Sequence, residues 1–257
     1  MYLYAMNSVV TFLKQVRLFW IVFSAGASAA VSVMWYVIRF GDEFTKNWGF
    51  CGLDVFFFCL GNYPQEWGDI WIADHYLIVI FPFLILIQQL ISYVDVSSCE
   101  RIYYISFRRA KLWKQALHDF AGSMFIIVSW LFCFELTEEV AFSLLYGPAE
   151  HSFFLGRSLN TKEELIFLGC MVIRQAAVLL LIFICVYGML FKLGLVWSAA
   201  AMVGAVAAIL LMGFTGMDSP FILNVVSTHM EKPLFILLVM LLIVFSRRKY
   251  LKYIYME

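Results

Sequence analysis

The sequence predicts an all-α integral membrane protein: six transmembrane helices, N-in and C-in, an interfacial helix at the N-terminus, and a basic helical segment between spans two and three. Three observations carry this. The 257-residue chain is 63% hydrophobic and 14% charged, with a mean hydropathy of +0.87, against roughly 25% charge and 45–50% apolar residues in an average soluble domain. Its apolar runs recur at the ~20-residue length that a bilayer requires. Its lysines and arginines gather in alternate loops. The formal net charge is zero, and nothing in it suggests a nucleic-acid partner.

The chain reads as one transmembrane domain over 1–257, with no linker long enough to divide it and no internal repeat. Residues 2–17 (YLYAMNSVVTFLKQVR) place apolar side chains close to a 3.6 period. That is the pattern of a helix lying on the inner leaflet, or of a helical extension of the first span. Lys14 and Arg17 precede an apolar run that includes SAGASAAV (24–31), which mimics a signal-peptide cleavage site. The run continues through VSVMWYVI, so an uncleaved span is expected.

The spans are expected at 18–40, 70–94, 117–141, 165–191, 193–214 and 233–248. Residues 165–214 form one apolar tract that must turn back, and Lys192 followed by Gly194 is the expected turn. Basic loops stay cytoplasmic. With the N-terminus inside, twelve of the eighteen basic residues fall inside: Lys14, Arg17, Arg101, Arg108, Arg109, Lys111, Lys114, Lys192, Arg247, Arg248, Lys249 and Lys252. Arg39, Lys46, Arg157, Lys162 and Lys232 fall outside, and Arg174 falls within the membrane. Loop 41–69 is acidic and aromatic, which suits an outer face. It is long enough to dip back into the bilayer, and its Cys51 and Cys59 could pair.

Several catalytic chemistries lack their motifs. The chain has no Gly-Lys pair and hence no phosphate-binding loop, and it has no H-E-x-x-H or G-x-S-x-G. The six cysteines show no metal-ligand spacing. TEEVAFS (137–143) resembles the start of the Glu-Glu-x-x-x-Arg motif of the CAAX- and bacteriocin-processing intramembrane proteases, which would make Glu138 and Glu139 catalytic. Ser143 stands where that arginine belongs, and the alternative is an acidic pair facing water at the end of span three.

Ionisable and amide groups inside a membrane are candidates for a transport path. Arg174 lies about 14 Å into span four at 1.5 Å per residue. Glu135 is the carboxylate nearest to it in depth, and Gln88 and Gln89 lie near the inner end of span two. Each of them has a purely structural alternative. Small residues at four-residue spacing mark close helix contacts. Span one carries Ser24, Ser28 and Ser32, and span five carries Ala200, Gly204 and Ala208. These faces are expected to be interfaces within the subunit or between subunits.

Loop 95–116 is the longest expected inner loop. Its charges set topology, but its Tyr and Trp residues and Glu100 exceed that need, leaving a lipid anchor or a docking element. FPFLILIQQL (81–90), then ERIYYISFRRAKLWKQAL (100–117), has an Arg-x-x-Tyr…Arg-Arg-x-x-x-Trp-x-x-x-Leu pattern. With the six-span arrangement, it resembles the permease subunits of export-type ABC transporters, especially the small permeases of antimicrobial-peptide (lantibiotic) export or immunity. The specific match covers about forty residues. The resemblance implies a coupling helix in this loop, with Glu100, Arg101, Tyr104, Arg108, Arg109, Lys111, Trp113 and Lys114 meeting a separate cytoplasmic ATPase. That ATPase would carry the ATP and Mg, leaving no cofactor and no enzymatic role in this chain. The resemblance also implies pairing with a second copy or a similar permease near spans one and five, and a location in a plasma membrane, bacterial by this resemblance. A non-transport membrane protein for immunity, sensing or assembly is the alternative.

Overall fold

In the computed structural model, residues 18–47, 49–59, 72–105, 112–147, 152 and 160–214 are described, and almost all of them are helical. The helices are α1 (Leu18–Asp42), α2 (Gly52–Cys59), α3 (Ile72–Ile105), α4 (Leu112–Tyr146) and α5 (Thr161–Phe214), with a π-helical turn at Glu43–Asn47 after α1. Among the described residues, four helices are long and apolar enough to cross a membrane. Their apolar lengths are Leu18–Asp42, Tyr76–Tyr93, Phe120–Tyr146 and Lys162–Val186, and Val196–Ala208 is a shorter apolar stretch. The expected interfacial helix (2–17) and the expected sixth span (233–248) lie outside the described residues.

α1 and α4 form the centre of the bundle. Trp130 Nε1 donates to Ser24 Oγ at 3.1 Å, and the rings of Tyr36 and Phe142 sit 6.3 Å apart. Both pairs share one sequence offset, so α1 and α4 run parallel and in register. α1 can approach closely because its buried face is small: Ala25, Ser28, Ala29 and Ser32. Its hydroxyls are satisfied locally, Ser24 Oγ donating to Ile21 O (3.1 Å) and Ser28 Oγ to Ser24 O (2.7 Å), which removes the cost of an unpaired hydroxyl in an apolar medium. The end where α1 and α4 finish is called the rim here, and the opposite end the base.

α3 and α4 are antiparallel. Tyr93 packs on Gly122 near the base, where a Cβ would collide with the Tyr93 ring. Only residues 106–111 join the two helices, too few to return along the bundle. α5 starts at the rim, where Glu164, Leu165 and Leu168 face Glu139, Val140 and Ser143 of α4. It reaches the base at Phe183, whose ring lies 6.3 Å from that of Phe120. An Asn160–Glu163 capping box starts it: Glu163 N donates to Asn160 Oδ1 (3.0 Å) and Asn160 N to Glu163 Oε2 (3.2 Å).

The 54 residues of α5 would span ~80 Å if straight, far more than the ~30 Å hydrocarbon core. They are not straight. Tyr76, on the rim side of α3, donates its hydroxyl to Ala207 O at 2.8 Å. A straight continuation from Phe183 would carry Ala207 away from the rim. The tract therefore folds back between Phe183 and Ala207, an interval containing the expected turn at Lys192 and Gly194.

The aromatic stretch after α1 returns into the bundle. Thr45 Oγ1 donates to Gly41 O (3.1 Å), Gly49 takes a left-handed φ of 60°, and Phe50 N donates to Phe44 O (2.9 Å). α2 then descends from the rim against α4. Leu53, Val55, Phe56 and Phe58 are buried, and Phe58 lies 5.3 Å from both Phe40 and Phe44. At Gly52 the backbones of α2 and α4 touch: a Cβ there would lie 2.5 Å from Ser143 Cα. Cys51 and Cys59 are both buried thiols, and no disulfide joins them. The helix between them separates their Cα atoms by ~12 Å, beyond the ~4.4–6.8 Å of a disulfide. Their pairing is thus corrected to two thiols.

The outside of the bundle is apolar. Phe19, Ile38, Leu144 and Val196 are each more than two-thirds exposed, a surface that suits lipid and not water.

Candidate functional site: a buried glutamate pair and a projecting basic hairpin

Glu135 and Glu138 lie on the face of α4 that also carries Trp130, Leu131 and Phe142. Their exposures are 1% and 2%. Ser32 of α1 hydrogen-bonds Glu138, whose Oε1 has no partner; neither oxygen of Glu135 has one. The Cys59 thiol at the end of α2 is close to Glu138 and hydrogen-bonded to Tyr36. Rings of Tyr36, Phe58 and Phe142 pack above, towards the rim.

One sequence expectation is corrected here. Glu138 does not face water with Glu139; it points into the bundle. Glu139 is half-buried, accepts from Ser143 Oγ at 3.0 Å, and lines a rim groove of about 350 Å³ with Glu164 and five aliphatic side chains. The i, i+1 spacing explains the split, because adjacent positions on a helix diverge by about 100°. Nor does Glu135 hydrogen-bond Arg174. Arg174 is half-buried on α5 and makes contacts of its own.

The other transport-path candidates do not converge. Gln88 is exposed on α3 and Gln89 half-buried, whereas Gln175, which the sequence reading missed, is buried at 3%. The two small-residue faces part company. Ser28 and Ser32 are buried against α4 of the same chain, but Ala200, Gly204 and Ala208 are exposed, and a Cβ at Gly204 would meet nothing within 4 Å.

A second acidic residue missed by the sequence reading is Asp54, fully buried in the turn that starts α2. Its Oδ1 accepts from Ser152 Oγ (2.6 Å), and its Oδ2 from Cys51 N (3.3 Å) and Cys51 Sγ (3.0 Å). These bonds hold the start of the return segment. Burial, with the hydrogen bond to Asp54, pushes the Cys51 thiol up to about 12, so it stays protonated and poorly nucleophilic at neutral pH.

The basic segment is carried on helices. α3 runs to Ile105, twelve residues or ~18 Å beyond the end of its apolar length at Tyr93. α4 begins at Leu112, eight residues or ~12 Å before Phe120. Glu100, Arg101 and Tyr104 lie on the first arm, Trp113 and Lys114 on the second. Their side chains, and Arg108, Arg109 and Lys111 altogether, lie outside the described residues.

Four apolar helices, a lipid-suited surface and a polar helical hairpin extending from the base define a membrane-embedded α-helical protein. Among the described residues no group of three or more His, Cys, Asp or Glu side chains could hold a metal. No protein-family model, no curated protein and no solved structure matches the chain.

Proposed function

We propose that the chain is the membrane-spanning permease subunit of an ATP-driven exporter of the ABC type, coupled to a separate ATPase through the basic hairpin. One observation carries the reading. Both helices flanking the Arg-rich segment continue past their apolar lengths, so helical arms continuous with two spans lead to it and away from it and can act as a lever. A lipid anchor needs charge and aromatics at the interface; it does not need helical continuity with two spans. A lever transmits force, and ATP-driven closure of a partner would move α3 and α4 together in a two-state, rigid-body change.

In this reading the chain has six spans with both termini inside, in a bacterial plasma membrane, and ATP and Mg belong to the partner. A second permease packs on the exposed Ala200, Gly204 and Ala208 face. The Ser24, Ser28 and Ser32 face is already occupied by α4. The cargo is a peptide or another amphipathic molecule.

Purification of the tagged chain from its native membrane in a mild nonionic detergent tests the proposal. An ATP-binding-cassette protein co-elutes in stoichiometric amount and hydrolyses ATP. Elution of the folded chain with no nucleotide-binding protein contradicts it.

A further inference from the structure

We propose that Glu135 and Glu138 form a proton-binding site inside the bundle, the pair holding at least one proton at neutral pH. An ionised carboxylate removed from water must be paired or hydrogen-bonded, because its desolvation cost is otherwise prohibitive. Glu135 has neither form of support: it is 1% exposed and both its oxygens lack a partner. Glu138 has one serine donor, Ser32, and an unpartnered second oxygen. The two lie three residues apart on α4, with Cβ atoms ~5–6 Å apart. Two negative charges at that distance in an apolar interior repel strongly.

Among the described residues, no cation hydrogen-bonds Glu135. α1 presents Ser32 and Tyr36, both uncharged. α2 presents the Cys59 thiol, with Asp54 nearer the rim and engaged by Cys51 and Ser152. α3 brings Tyr76, which donates to Ala207 O. α5 brings Arg174, which does not hydrogen-bond Glu135, and Glu164 in the rim groove across from Glu139. A proton delivered by hydronium forms an O–H bond on one carboxylate, breaks one on the hydronium and leaves water; the neutral carboxyl then has one oxygen that can donate. The residues towards the rim are Tyr36, Phe58 and Phe142, all nearly fully buried, so α2 covers the pair on that side. Both carboxyls are nearly fully buried, so exchange of the proton with water requires the bundle to move.

Infrared spectroscopy of the intact protein in neutral-lipid vesicles tests this. The expected result is a protonated-carboxyl C=O stretch at neutral pH that shifts in D2O, weakens in alkali, and disappears in the Glu135→Gln/Glu138→Gln variant. If the double variant does not fold, the single Glu135→Gln and Glu138→Gln variants each lower the band, whereas Glu139→Gln leaves it unchanged. A spectrum in which no carboxylic-acid band depends on Glu135 or Glu138 overturns the proposal. So does a band that sodium or potassium removes at constant pH and ionic strength, which would make the pair a metal-cation site.

Discussion

Replacing Gly52 with valine unseats α2 from the bundle. The glycine lets the α2 backbone rest directly on α4, where an added Cβ would lie 2.5 Å from Ser143 N and Cα and 2.7 Å from Phe142 C. Those atoms are backbone and cannot rotate aside. Gly52 N also donates to Gly147 O at 3.0 Å, a bond lost if the helices separate. Overpacking typically destabilises by about 1–3 kcal/mol, and a contact between two backbones belongs at the upper end of that range. The measurement is thermal unfolding in detergent together with maleimide labelling. Gly52→Val is expected to unfold at a lower temperature and to expose the Cys51 and Cys59 thiols, both buried in the native protein. Gly204→Val is the control, since a Cβ there meets nothing within 4 Å. Equal stability and equal thiol protection in the two variants would mean that α2 is not seated as described.

If the proposed function holds, charge reversal of Arg108 and Arg109 to glutamate is expected to weaken binding of the partner ATPase while the bundle stays folded. If the hairpin docks in a protein cleft, its arginines meet carboxylates or carbonyls there. Removing one partner of a buried, hydrogen-bonded charge pair costs about 2–5 kcal/mol. Two reversals therefore reduce association by more than tenfold, since ~1.4 kcal/mol is a factor of ten. The spans keep their orientation, because glutamate weighs little in the positive-inside rule and Arg101, Lys111 and Lys114 remain. The same reversal at Arg247 and Arg248 is the control, with an identical change of charge elsewhere. Retained co-purification and transport in the Arg108→Glu/Arg109→Glu variant would remove the hairpin from the coupling path. Equal loss in both variants would indicate attraction to anionic lipid.

The spanning helices were legible because hydropathy over ~20 residues depends little on tertiary context. The reversal inside 165–214 was legible for a related reason: no bilayer accommodates a straight apolar helix of that length. α2 was not legible. GLDVFFFC is too short to read as a span, and its neighbours Asp42, Glu43, Glu66 and Asp69 suggested an external loop. Its destination depends on a backbone contact at Gly52 that periodicity does not report. Glu138 shows a different limit. Its charge suggested water, but Trp130, Leu131, Glu135, Glu138 and Phe142 follow a helical stripe, so its burial was written in the spacing and hidden by the residue type. The two small-residue faces looked alike in sequence. Only packing separated the serine face, filled by Trp130 and Glu138 of α4, from the exposed alanine–glycine face.

In the proposed function, the basic segment between α3 and α4 is where a separate ATPase meets the membrane bundle. Photo-crosslinking in native membranes tests it most directly, with a photo-reactive phenylalanine analogue at Tyr104 on the hairpin, and at the exposed Trp197 for comparison. The account predicts an adduct from position 104 that peptide sequencing identifies as an ATP-binding-cassette protein, and none to that protein from position 197. Adducts from position 104 to lipid alone, in a chain that folds and inserts normally, would contradict it.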